Sequence, residues 1–491
     1  MQNFYETTKS LDERAITRYS LSPDILVENA ANGLLELIKQ KAYHKSVVTI
    51  ICGSGDNGAD GYALARKLSG SFIVRIYQAK EPKSPLCVQM CEKAQLIESI
   101  KFITKILPCD VVVDCLFGSG LQGKINDELL EVIRLANLAA PLKIACDIPS
   151  GLSAQQKDTD KSKNAYTPAL FDEDSHTQKQ PSNELSKWIF KAHYTVCMGA
   201  LKSVLFSDMA KDYVGEIVVA DLGVSRQNYE ITSPLKLLEK SDLWLPIRKI
   251  QNAHKGNFGH LCVFSGDKEG ASILSAQAAL HFGVGLVSIL NANEREISVP
   301  YEIMQTNQVP ENTTALALGM GLGSACKEVL KYVEGLSIPC VIDADAFYEE
   351  SIMQLFHKDI VLTPHPKEFQ SLLELCGFAS IKSKDTINRA LTFSQKYPQV
   401  TLVLKGANTI IAKSEKIYLN TFGSVALAKG GSGDVLAGMI GALIAQGQDC
   451  LNASINASLA HALAGSMNPN SYALTPNTLI ANLAKLQEDR I

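Results

Sequence analysis

LAKGGSGDVLAGMIGALIAQ, Leu427 to Gln446, is a glycine run that opens directly into an apolar, small-residue helical pattern. Gly430, Gly431 and Gly433 let the backbone adopt conformations closed to other residues, and the free N–H groups of the first helical turn would then face whatever anion sits before them. Asp434 stands in that turn. A carboxylate there suits the helix dipole yet repels a phosphate, so beside an anion site it points to proton or metal handling. Taken alone, GSGD also reads as a glycine turn with an ordinary first-turn Asp, and the rest of the chain has to decide.

The usual domain size divides 491 residues into two to four domains, and two are expected. Hydrophobic residues at 46% and charged residues at 20% describe a globular protein with material for buried cores. A formal net charge of -4, with no basic tract, argues against a nucleic-acid partner, because phosphate-backbone affinity needs clustered Lys and Arg. The N-terminal MQNFYETTKSLDERAI lacks the apolar core of a signal peptide, and no apolar run reaches the length of a membrane span. The expectation is a cytoplasmic protein without a membrane partner. Cys52, Cys115, Cys146, Cys262 and Cys340 lie inside strand-like runs, where thiols behave as small hydrophobes. No C-x-x-C pair suggests zinc or redox chemistry, and Cys87 and Cys91, four apart on a predicted helix, read as packing.

In the first half, Leu11 to Arg18 and Pro23 to Gln40 carry helical spacing, the second with Ser22 as N-cap and Pro23 at the first helical position. VVTIIC is then a strand, GSGDNGAD a loop, and Gly61 to Leu68 a helix. Gly53, Gly55 and Gly58 fit the dinucleotide pattern G-x-G-x-x-G. However, Asp56, Asn57 and Asp60 load the loop with oxygens, and no acidic residue ends the next strand, FIVRIYQAK. Such a loop suits sugar hydroxyls, a cation or proton transfer better than a pyrophosphate. Two more buried strands end in polar loops, one at Asp114 before LFGSGLQGK and one before Asp147-Ile-Pro-Ser-Gly-Leu152. Ligands bind at the carboxyl ends of strands in open α/β sheets, so Asn57, Asp114, Asp147 and Ser150 are expected to converge on one crevice. Their oxygens suit an alkali or alkaline-earth ion.

The first half resembles the NAD(P)H-hydrate epimerases from about Leu11 to Val224. The motifs are VENAA (Val27 to Ala31), CGSGDNGADG (Cys52 to Gly61), VVDCLFGSG (Val112 to Gly120), DIPSGL (Asp147 to Leu152), HYTVCMGALK and GEIVVADLGV. The resemblance implies that Asp56, Asn57, Gly58, Ala59, Asp60, Gly118, Ser119, Gly120, Leu121, Gln122, Gly123, Lys124 and Asp147 hold a hydrated nicotinamide nucleotide, with Asp147 catalytic. It also implies a potassium ion on Asn57, Asp114 and Ser150. The chain departs from the family pattern at Asp56 and Ala59, where Asn and Gly are usual, and at His193, where Asp is common. Residues 154–187, polar and aperiodic, are longer than the family's connection and read as a surface excursion.

Ser225 to Ser233 is a polar linker, and Pro234 opens a second α/β segment. HKGNFGHLCVFSGD, GASILSAQAALHFGVGLVSIL, TALALGMGLG, PCVIDADAF, DIVLTPHPKEF and VTLVLKGANTIIA each bring an apolar strand to a polar or glycine loop. The order DADAF, TPHPKEF, KGANT, AKGGSGDVLAG resembles the ribokinase-like superfamily, and with HKGNFG it is similar to its NAD(P)H-hydrate dehydratase branch, over about Leu238 to Leu486. Both halves together resemble the fused bifunctional NAD(P)H-hydrate repair enzymes, an isomerase and a lyase in one chain. The expected fold class is therefore α/β throughout: a Rossmann-like three-layer domain over residues 1–225, then a ribokinase-like domain over residues 233–491.

That resemblance implies that Lys405, Gly406, Ala407, Asn408, Thr409 and Gly433 contact an adenine nucleotide, ADP in preference to ATP. Ala271, Gly321, His365 and Asp434 would face the hydrated substrate, with Asp434 catalytic. Magnesium is implied with the nucleotide; Asp343 and Asp345 read equally as its ligands or as strand-end caps. A homo-oligomer is implied too. The competing reading is a hydroxymethylpyrimidine- or hydroxyethylthiazole-type kinase carrying a non-catalytic nucleotide-binding first domain.

Overall fold

The Val- and Ile-rich runs of the first half form one fully parallel sheet. The structure, a computed structural model, describes residues 1–120, 125–152, 188–293, 297–378 and 386–486. The chain folds as two units, Asn3–Ser233 and Pro234–Ile491, the second also counting Met1–Gln2. In the first unit the strands stand in the order Lys101–Ile103, Ile73–Gln78, Val47–Cys52, Val111–Cys115, Leu142–Cys146, Tyr194–Met198 and Glu216–Ala220. Every neighbouring pair is parallel. Counted along the chain this is the order 3-2-1-4-5-6-7 of a doubly wound nucleotide-binding sheet. Its switch point, where consecutive crossovers leave in opposite directions, lies between Val47–Cys52 and Val111–Cys115.

Residues alternate across this sheet with period two, so Val111, Val113 and Cys115 pack on one face while Val112 packs on the other. The first face is covered by the helices Pro23–Lys41, Asp56–Leu68 and Pro85–Gln95, and the second by Asp127–Ala139. Three layers result, as expected. The helix after the first strand begins at Asp56 and not at Gly61. Gly55, extended at φ -105°, is its N-cap, so DNGA makes up the first turn and the loop shrinks to Gly53–Gly55. Ser22 occupies the N-cap of Pro23–Lys41 but makes no side-chain capping bond. Cys87 and Cys91 are buried free thiols on Pro85–Gln95.

The second unit repeats the plan. Its strands run Met304–Thr306, Leu286–Asn291, His260–Ser265, Ala315–Leu318, Cys340–Ile342, Ile360–Leu362 and Val400–Leu404, all parallel and again 3-2-1-4-5-6-7 along the chain. Beyond them the antiparallel ribbon Thr409–Lys413 and Lys416–Asn420 is followed by Leu235–Leu237. One face carries the helices Glu269–His281, Ser432–Ala445, Cys450–Ser466 and Pro476–Leu483. Phe356, Phe369, Phe393 and Tyr397 form edge-to-face and tilted pairs in a separate cluster. The predicted linker contains the short helix Arg226–Tyr229, with Tyr229 buried.

Candidate functional site

In both units the loops at the carboxyl ends of the strands carry the residues to which the sequence assigns chemistry. In the first unit, Gly53 lies against the carbonyl of Leu116: a Cβ on it would sit 2.0 Å from that oxygen. Only glycine lets the two loops close together there. Asp114, the penultimate residue of its strand, is buried; its Oδ1 accepts from Leu116 N (3.1 Å) and Ser150 Oγ (2.7 Å), and its Oδ2 accepts from Ser150 N (2.8 Å). Burial pushes its carboxyl up to about 6, against the pull of these bonds. Ser150 Oγ also accepts from Phe117 N at 3.1 Å, so Asp114 and Ser150 tie two strand-end loops together.

Asp147 has a left-handed backbone, φ +68°, unusual for a residue with a side chain. Its Oδ1 accepts from Lys202 Nζ at 2.5 Å and Met198 N at 3.2 Å, while Oδ2 accepts from Ser119 N at 3.4 Å. Lys202 is buried; desolvation alone would lower its pKa, but the Asp147 carboxylate outweighs that and raises it. Gly118 completes the cluster: a Cβ there would lie 3.4 Å from Asp147 Oδ2 and 3.5 Å from Asn57 Cβ. Asn57 Oδ1 and Nδ2 are both buried without a hydrogen-bond partner among the described residues. An amide so placed carries an unmet demand for a donor and an acceptor that a bound ligand can satisfy. Asp60 is also buried, and its carboxyl is raised by desolvation and then by the nearby Asp147 charge.

The loops thus bring Asn57, Gly118, Ser119 and Asp147 together, with Asp114 and Ser150 bonded to each other behind Phe117. Ala59 turns away, its side chain packed in the core. Asp56 is exposed at the start of its helix. Leu121, Gln122, Gly123 and Lys124 lie outside the described residues, as do 153–187. His193 sits at the opposite, amino end of the strand Tyr194–Met198, accepting from Lys143 N.

In the second unit the helix Ser432–Ala445 is capped by Gly431 at φ +91°, and Asp434 is third in its first turn. A Cβ on Gly433 would be 3.2 Å from Lys405 Nζ and 3.7 Å from Asp343 Oδ2. Lys405 Nζ bonds Asp343 Oδ1 at 2.7 Å and approaches Glu368 Oε2 at 4.0 Å. A cation held between carboxylates therefore stands at the mouth of the helix. Burial, then the Asp343 charge, push the Asp434 carboxyl up to about 6, although Lys405 opposes them. His365 is the N-cap of Pro366–Leu375; its Nδ1 accepts from Lys367 N and Glu368 N, and its Nε2 lies 3.1 Å from Glu368 Oε1.

Asp343 is buried in the Lys405 pair, whereas Asp345 Oδ2 accepts from Gly323 N at 2.8 Å and braces a loop. Gly321, at φ +67°, could not carry a Cβ, which would stand 2.4 Å from the Lys268 carbonyl. Ala271 is half-buried on Glu269–His281. Gly406 and Ala407 are exposed, Thr409 is half-buried and Asn408 buried in the turn after Val400–Leu404.

The NAD(P)H-hydrate dehydratase family profile matches residues 261–485, and that of the YjeF-related protein N-terminus matches residues 23–204. The chain is 45% identical to the bifunctional NAD(P)H-hydrate repair enzyme Nnr of Helicobacter pylori, covering 99% of this chain and 100% of the relative. It belongs to the bifunctional NAD(P)H-hydrate repair enzymes. Enzymes of the same name from Dictyoglomus turgidum and Escherichia coli are 29% and 30% identical, over 93% and 84% of this chain and 91% and 79% of theirs. Among solved structures, a ribokinase-like superfamily protein of Enterococcus faecalis V583 covers 52% of this chain and 96% of its own, at 23% identity and a TM-score of 0.45. An ADP/ATP-dependent NAD(P)H-hydrate dehydratase of Bacillus subtilis, co-crystallized with ATP/Mg2+, covers 48% and 92%, at 25% identity and a TM-score of 0.41.

Membership of the repair family disfavours the small-molecule kinase reading. Sequence reasoning missed two groups, Lys202 at the end of the short strand Leu201–Lys202 and His461 inside the helix Cys450–Ser466. Lys202 closes an apolar strand motif, where a buried cation signals a buried partner. His461 is a lone His in a helix of small residues, where only the folded chain reveals its neighbour. No helix among the described residues is long and apolar enough to cross a membrane.

Proposed function

We propose that residues 1–225 interconvert the R and S forms of hydrated NADH and NADPH, and that residues 233–491 dehydrate the S form using an adenine nucleotide, ADP before ATP. The observation that carries this is Asp434: a desolvated carboxylate in the first turn of an anion-binding helix, facing the Lys405–Asp343 pair. Hydroxide is a poor leaving group. Asp434 takes the proton of the ring hydroxyl as its oxygen attacks the terminal phosphorus, and the bond from phosphorus to the nucleotide's bridging oxygen breaks. The N–H groups at Ser432 to Asp434 meet the charge on the transferring phosphoryl, and Lys405 adds a cation on the same side. The ring nitrogen's lone pair then expels phosphate, and loss of a proton from the adjacent ring carbon restores the dihydropyridine.

Magnesium bound with the nucleotide would neutralise phosphate charge, and Asp343, whose Oδ1 is paired with Lys405, is the carboxylate that would meet it. In the first unit, Asn57, Asp114 and Ser150 would hold a potassium ion: all three offer hard oxygens, and Asn57 Oδ1 is buried without a partner among the described residues. Potassium held there would supply fixed positive charge beside the nucleotide. Asp147, with Oδ1 held by Lys202, keeps Oδ2 towards Gly118 and Ser119 and moves the proton at the hydrated carbon's hydroxyl. Its left-handed backbone is strain of the kind that folds retain at working sites. The test is to incubate the full chain with hydrated NADH, magnesium and either ADP or ATP, and to follow the dihydronicotinamide absorbance. Recovery with ADP is expected; no recovery with either nucleotide overturns the proposal.

A further inference from the structure

The glycine loop before Asp434 is supported along one face of a neighbouring helix, Cys450–Ser466. Ser458 Oγ accepts from Asn420 Nδ2 at 2.9 Å, at the end of the strand Lys416–Asn420 that leads into the loop. Gly465 lies so close to Leu427 that a Cβ would meet its side chain at 2.5 Å, and its carbonyl accepts from Ser424 Oγ at 3.5 Å. Between these two contacts sits His461, 8% exposed. Its Nε2 lies 3.0 Å from the carbonyl oxygen of Ser432 and 3.2 Å from Ser432 Oγ. A carbonyl only accepts, so Nε2 carries the proton and donates.

Ser432 is the first residue of the helix whose opening N–H groups face the phosphoryl. A helix terminus frays easily, because its first turn has few bonds of its own. Here the carbonyl of the first helical residue is also tied to the next helix. We infer that His461 is a positioning residue for phosphoryl transfer: by holding the Ser432 carbonyl it fixes the direction of the following N–H groups and of the Asp434 carboxylate. The inference rests on the dehydratase reading above and deepens it. A misaligned donor array loses transition-state stabilisation more than ground-state binding, so the effect belongs in kcat.

Three full-length proteins decide the matter: wild type, His461→Leu and His461→Gln. Each is assayed for ADP-dependent dehydration, with kcat and both KM values separated, for hydrate epimerisation as an internal control, and for thermal unfolding. His461→Leu fills the site without a donor and is expected to lose about ten- to a hundredfold in kcat, less than the ~10²–10³ for removing a direct oxyanion donor. Epimerisation stays unchanged. His461→Gln, whose amide N–H can reach the carbonyl, should recover most of kcat even if its melting temperature falls. A purely structural His461 would lower the melting temperature of both variants and leave kcat of the folded protein alone, and that result overturns the inference. If His461→Leu does not fold, His461→Asn, whose amide is too short to reach, takes its place under the same criteria. Absence of dehydration in the wild type would instead overturn the dehydratase reading itself.

Discussion

Burial pushes the carboxyls of Asp434 and Asp114 alike up to about 6, yet their surroundings differ and the roles proposed for them differ too. Asp434 stands at an open helix end beside a cation; Asp114 is enclosed by the Ser150 and Leu116 donors. As a base Asp434 has to be ionised, so kcat/KM for dehydration is expected to fall with a slope of one as pH drops below about 6, and to be level above it. Asp434→Asn keeps the size and removes the proton acceptor; dehydration should drop by ~10²–10⁴-fold with nucleotide binding nearly intact, read by titration with ADP. Retention of most activity would make it an ordinary first-turn residue. Asp114→Ala, by contrast, should weaken the potassium response of epimerisation by roughly 10–100-fold and leave dehydration of the S epimer untouched. Circular dichroism separates this from unfolding, which would remove both activities.

The helix Ser432–Ala445 is built almost entirely of small and apolar residues because it is buried on nearly every side. It packs between the sheet and Glu269–His281, and its glycines set the distances. A Cβ on Gly438 would lie 2.0 Å from the carbonyl of Ser275, and one on Gly441 would lie 2.9 Å from Leu261 Cδ1. Gly438 therefore meets backbone, which cannot rotate aside, while Gly441 meets a side chain, which can. Gly438→Ala is expected to destabilise the second unit by about 1–3 kcal/mol, as overpacking does, and to disturb dehydration. Gly441→Ala should cost less. Calorimetry on both variants checks the order, and equal effects would refute this account of the packing.

Two sheets share the same order in their seven parallel strands, and each has its own buried clusters. The cluster around Leu261 and Ile440 contains only residues of the second unit, and those around Ile50 and Val112 only residues of the first. Each half is large enough to bury a core unaided. Cut between Ser233 and Pro234, the halves are expected to fold and work separately. The second half alone should repair a racemic hydrate in part and stall when the S epimer is spent, and the first half added in trans should restart it. Consumption of both epimers at similar rates by the second half would refute this division of labour.

Sequence alone determined the alternation of strand and helix, the glycine loops at strand ends and the oxygen-rich residues in them. These are local properties: β-branched runs, period and turn chemistry are written in neighbouring residues. It also carried the family, through motifs such as CGSGDNGADG and DIPSGL. It misplaced the start of the helix at Asp56 by five residues, because Gly55 as N-cap draws DNGA into the first turn where composition suggests a loop. Tertiary structure decided what depends on distant segments. It set Lys202 against Asp147, brought Lys405 and Asp343, 62 residues apart in the chain, to 2.7 Å, and laid His461 against Ser432. None of these pairs has a spacing that periodicity can register, since each joins groups from separate elements after the sheet has ordered them. Burial then moved the carboxyls of Asp114 and Asp434 to about 6, a consequence of lost solvent that no single residue encodes.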